Sequence, residues 1–171
     1  MLVNKEIIND YKNHGVALLR NVVSSDWLKK LAKGIEKNFQ NPSQYKCVYE
    51  KENNKEIFYD DYCNWQKIEE YKDFIFNSDI AKIAGQLMQS KQVNLFHEHV
   101  LIKEPGATKR TPWHQDQPYY CVDGNDNCSL WIPLDKISKE VCPEYVKSSH
   151  SWNKQYLPTK FFGNMYEKKD E

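Results

Sequence analysis

His114 and Asp116 stand one residue apart in the stretch TPWHQDQPYY, residues 111–120. On an extended strand, residues two apart point to the same face, so this imidazole and this carboxylate can both reach one metal ion. The pairing suits iron. Two histidines and one carboxylate form the facial triad of non-haem Fe(II) oxygenases, which leaves positions open for oxygen and a bidentate co-substrate. Taken alone, His-x-Asp is a short pattern that also arises where a loop histidine precedes a turn-forming aspartate, so its weight depends on what surrounds it.

A rival set lies upstream. His97-x-His99 followed by Glu104 has the order of a cupin-like metal site, although the glycines that flank such sites are missing. Other readings of the pair are two histidines lining a polar interior, hydrogen-bonded to neighbours, and His99 facing the active cavity without binding metal. His150, in KSSHSW, follows Asp116 by 34 residues. Only two expected strands intervene, which is little chain for a third ligand to return to the same mouth, so His150 reads as a loop histidine. Trp113, Trp131 and Trp152, with Tyr119 and Tyr120, read mainly as packing. Nucleophile-elbow, phosphate-loop and dinucleotide glycine patterns are absent, which removes the common hydrolase, kinase and dehydrogenase readings.

The elements that must position these residues change character near residue 91. The spacing predicts a short helix over 4–13, stopped at Gly15, and a buried strand over VALLRNV, 16–22. Ser24 and Ser25 offer an N-cap, with Asp26 in the first turn, to an amphipathic helix over 25–39 carrying Leu28, Leu31, Ala32, Ile35 and Phe39. Residues 40–56 read as polar loop. A helical region follows over about 66–76, then a helix capped by Ser78, with Ile80, Ile83, Ala84, Leu87 and Met88 on one stripe. From 92 onward strands take over: QVNLFHEHVLIK (92–103), a short WHQD strand between Pro112 and Pro118, CSLWIPL (128–134) and PEYVKSS (143–149). A Pro-Gly loop and the turn VDGNDN separate them. Helices first and antiparallel strands after argue an α+β protein whose β part is a sandwich or barrel.

The chain of 171 residues suits a single domain over 1–171, with a mainly helical 1–90 and a β-rich 91–171. Lys plus Arg is 24 and Asp plus Glu is 24, so no global field points to nucleic acid. The five cysteines show no C-x-x-C spacing and read as reduced thiols. The N-terminus lacks a signal-peptide pattern, and no apolar run reaches the roughly 20 residues of a membrane span. The expectation is a soluble, cytoplasmic protein.

LFHEHVLIKEPG, TPWHQDQPYY, CSLWIPLD and EYVKSSHSW, in this order, resemble the phytanoyl-CoA dioxygenase family of Fe(II)/2-oxoglutarate oxygenases. GVALLRNVVSSDWLKKLAKGIEKN and FNSDIAKIAGQLM are similar to its N-terminal helical region. The resemblance implies helices packed on a double-stranded β-helix, or jelly roll. It implies His114 and Asp116 as iron ligands, with His99, Gln115 and Trp131 beside the 2-oxoglutarate co-substrate, and hydroxylation of a small metabolite. It also implies a distal histidine ligand and an arginine that grips the far carboxylate of 2-oxoglutarate. No His follows His150 and no Arg follows Arg110. The chain is therefore expected to hold the N-terminal part of a jelly roll of about eight strands, and an open barrel edge favours a homodimer. A non-catalytic oxygenase-like β-barrel that binds a small molecule or partner is the alternative, and a cupin-like metal protein is the weaker one.

Overall fold

The structure is a computed structural model and describes residues 3–49, 58–107 and 110–157. Four helices and three strands carry the fold: α1 (Lys5–His14), α2 (Ser25–Gln40), β1 (Cys47–Tyr49), β2 (Phe58–Tyr62), α3 (Glu69–Asn77), α4 (Ile80–Met88) and β3 (His99–Lys103). Two 3-10 turns follow, at Gln117–Tyr119 and Ser149–Trp152. No helix among the described residues is long and apolar enough to cross a membrane.

Local chemistry sets the helix ends. The Asn4 side chain accepts from the Ile7 amide, and Gly15 stops α1 in the left-handed region at φ 77° while its N–H donates to the Tyr11 carbonyl. Ser24 caps α2 by accepting from the Trp27 amide. At α4 the expected Ser78 cap is displaced: Asp79 holds the N-cap position without a side-chain bond, and Ser78 Oγ accepts from Ile80 N at 3.4 Å. α2 packs on α3 around Leu31, Ile68, Tyr71 and Phe74. α1 packs on α4 around Val3, Ile83 and Leu87. The first interface is tight at Gly34, where an added Cβ would lie 2.6 Å from the Tyr71 ring.

The β part differs most from expectation. The sheet is an antiparallel meander β1-β2-β3, with Tyr49 opposite Phe58 and Tyr62 opposite His99. Two of its strands come from 47–62, where the sequence reads as loop or carries no strand pattern; the 50–56 part of that expected loop lies outside the described residues. The expected long strand over 92–103 is paired only from His99 to Lys103. Residues 16–22, 113–116, 128–134 and 143–149 form no strand. So the α+β class holds, while the described residues show three strands rather than a jelly roll. The reason is physical. Alternation marks which side chains face inward, as Ile132 and Leu134 do against the α2–α3 core. A strand also needs a neighbour for its N–H and C=O groups, and periodicity carries no information about that neighbour.

β2, FYDDY, is buried over Phe58, Tyr59, Asp60 and Asp61. Asp61 has no exposed surface and accepts from Asn38 Nδ2 at 2.7 Å, Tyr59 OH at 3.1 Å, Ser43 N at 3.0 Å and Ser43 Oγ at 2.5 Å. Asn64, also fully buried, donates to the Asn41 carbonyl at 2.8 Å. This polar network ties α2 and the 41–43 turn to the middle of the sheet.

Candidate metal centre

His114 and Asp116 lie on irregular backbone, not on a strand. Asp116 is in the right-handed helical region at φ −71°, ψ −39°, and begins the 3-10 turn that contains Pro118. The turn still brings the two side chains together, with His114 Nε2 3.3 Å from Asp116 Oδ1. His114 Nδ1 donates to the Pro112 carbonyl at 2.8 Å. That bond places the ring proton on Nδ1 and leaves the Nε2 lone pair facing the carboxylate oxygen. Two lone pairs at this separation repel unless a cation lies between them.

Either a proton or a metal ion can be that cation. With a proton the pair is an ion pair. The hydrogen bond to Asp116 raises the His114 pKa above the ordinary imidazole value, against the opposing effect of burial. Asp116 is held below the usual carboxylate range, first by the His114 hydrogen bond and then by that of Ser129, with a smaller contribution from the charge of His99. With a metal, the donor set is right for iron. Neighbouring ligands of a six-coordinate ion with bonds of about 2.1 Å lie about 3 Å apart, close to the 3.3 Å observed. The residues present therefore fit two positions of such an ion. Among the described residues no group of three or more His, Cys, Asp or Glu side chains could hold a metal, and this includes the cupin-like set His97, His99 and Glu104.

The other residues singled out in the sequence have definite places. His99 begins β3, bonds Asp60 Oδ1 through Nε2, and sets its ring edge against Tyr62 at 5.5 Å. Gln115 bonds the 154–156 segment: its Nε2 donates to the Lys154 carbonyl at 2.9 Å and its Oε1 accepts from Tyr156 N at 3.0 Å. Trp131 is half exposed. His97 contacts the rings of Phe96 and Tyr120. His150 is drawn off to α1, where its Nε2 bonds the Lys12 carbonyl at 3.0 Å.

Sequence reasoning missed Ser129 and Asp60. Ser129 Oγ donates to Asp116 Oδ2 at 3.0 Å, and Asp60, itself buried, is the partner of His99. Ser129 lies in CSLWIPLD, and nothing in that run marked it as a partner of Asp116. Nothing in FYDDY marked Asp60, since a carboxylate is by default an exposed residue.

The model of the phytanoyl-CoA dioxygenase family, PhyH, matches residues 11–171. No curated protein and no solved structure matches the chain. The protein belongs to the phytanoyl-CoA dioxygenase family.

Proposed function

We propose that this chain carries two of the iron ligands, His114 and Asp116, of an Fe(II)/2-oxoglutarate dioxygenase that hydroxylates a small metabolite. Family membership supports the oxygenase class. The observation that carries the site is the facing pair His114 Nε2 and Asp116 Oδ1 at 3.3 Å, with the outer atoms of both side chains already hydrogen-bonded.

When bound, iron with 2-oxoglutarate and oxygen supplies hydroxylation of a C–H bond, coupled to decarboxylation of 2-oxoglutarate to succinate. The protein's own groups bind and orient. Pro112, through its carbonyl, fixes the His114 ring and sets the neutral tautomer whose Nε2 lone pair is the one available for ligation. Asp116 supplies one anionic oxygen and lowers the charge of the centre. His99, fixed by Asp60, places an imidazole in the field of Asp116, which suits a neighbour of the co-substrate's carboxylates. Trp131, half exposed on the run that also carries Ser129, offers an apolar face beside the co-substrate.

The test is anaerobic titration with Fe(II) followed by 2-oxoglutarate, reading the weak visible charge-transfer band, and then succinate formation in air. The band and succinate should appear with the native protein and vanish in His114→Ala. Iron retained by His114→Ala would defeat the assignment of His114. Neither band nor succinate, with a small molecule still bound, would favour the non-catalytic relative.

A further inference from the structure

We infer that Ser129 is a positioning residue for Asp116, making it a one-oxygen metal ligand. The inference rests on the reading of His114 and Asp116 as ligands and adds a residue to it. A carboxylate beside a metal ion can bind through one oxygen or both. Asp116 Oδ2 is engaged by the Ser129 hydroxyl at 3.0 Å, while Oδ1 lies 3.3 Å from His114 Nε2. The Ser129 hydroxyl is in turn 3.5 Å from the Tyr120 hydroxyl, so it has a neighbour that can accept or donate on its other side. Tyr120 is anchored by ring contacts with Phe96 at 4.9 Å and His97 at 6.0 Å.

This chain of contacts matters because Asp116 lies on irregular backbone. A ligand on a strand is aimed by the ladder; a ligand on a turn is aimed by what its side chain touches. Ser129 comes from another segment, 13 residues on. It fixes the rotation of the carboxylate about its last torsion, which is otherwise broad and two-fold. Without the hydroxyl, Oδ2 is free to swing toward the ion, and the angle between the two protein donors is no longer held.

The test compares Ser129→Ala, Ser129→Val and Ser129→Thr with the native protein, using Co(II) as a spectroscopic probe. Thr keeps the hydroxyl and Val has the shape of Thr without it. Co(II) affinity should fall about 10- to 100-fold in the Ala and Val variants and stay within about threefold of native in the Thr variant. The Co(II) absorption should change shape in Ala and Val and be kept in Thr. The thermal midpoint of the metal-free protein should be the same in all four, because Ser129 is exposed. Native affinity in Ala and Val, while His114→Ala has lost Co(II), overturns the role of Ser129 and leaves the ligands standing. Equal affinity in native protein and His114→Ala overturns the ligand reading itself.

Discussion

Asn38 on α2 reaches Asp61 in the centre of the sheet, Nδ2 to Oδ2 at 2.7 Å, and neither residue exposes more than 1% of its surface. Among the described residues, the hydrogen bonds that hold this buried carboxylate come from neutral donors. Burial raises its pKa, but the bonds from Ser43, Asn38 and Tyr59 outweigh burial and keep it below the usual carboxylate value. A depressed folded-state pKa means that the unfolded chain binds more protons in the acid range. The stabilisation from Asp61 is then complete above the unfolded value of about 4 and is lost as pH falls through the lower folded value. Asp61→Asn should flatten the acid limb of a stability–pH curve measured by urea unfolding. At pH 7 it should cost about 2–3 kcal/mol, since it replaces a charged acceptor and adds a donor facing donors.

Gly34→Ala isolates the α2–α3 contact. Alanine gains up to about 1 kcal/mol of helix propensity over glycine. Its Cβ, however, would meet the Tyr71 ring at 2.6 Å, and overpacking of this kind costs about 1–3 kcal/mol. A net loss of stability by denaturant titration is expected; a gain would mean that Tyr71 moves aside freely.

His150→Ala separates a structural histidine from a metal ligand. Its bond to the Lys12 carbonyl predicts a loss of about 1 kcal/mol, visible as a drop of a few degrees in thermal midpoint. Metal affinity should be unchanged. A loss of Co(II) binding without a change in midpoint would make His150 a metal ligand instead of a loop histidine.

Gln115 uses both ends of its amide on residues 154–156. Gln115→Ala should therefore speed limited proteolysis near Lys154 while shifting 2-oxoglutarate affinity by less than about threefold. A large affinity change with unaltered cleavage would place Gln115 against the co-substrate instead.

The helices were legible because their signals are local. Asn4, Gly15 and Ser24 act within one turn of their own position, and the stripes of α2 and α4 repeat within a dozen residues. The site was half legible. His114 and Asp116 stood out as a candidate pair and their side chains do meet, but not on the expected strand: a 3-10 turn begins at Asp116. The sheet was least legible. β2 carries two buried aspartates whose burial depends on Asn38, Ser43 and His99, up to 39 residues away. No pattern within FYDDY could show those partners, so it carried no strand signal.

The contacts of the 148–150 segment with α1 have a consequence for synthesis. Ser148 N donates to the His14 carbonyl at 2.9 Å, Ser148 Oγ to that of Asn13 at 2.8 Å, and His150 closes over Gly15. The last turn of the first helix thus has its carbonyls satisfied by residues translated about 135 positions later. On the ribosome the carbonyls of Lys12, Asn13 and His14 have only water to bond until nearly all of the described chain has emerged, while Gly15 alone caps the helix. Closing so long a loop is slow, so the body of α1 can dock on α4 well before the contacts at its last turn are made.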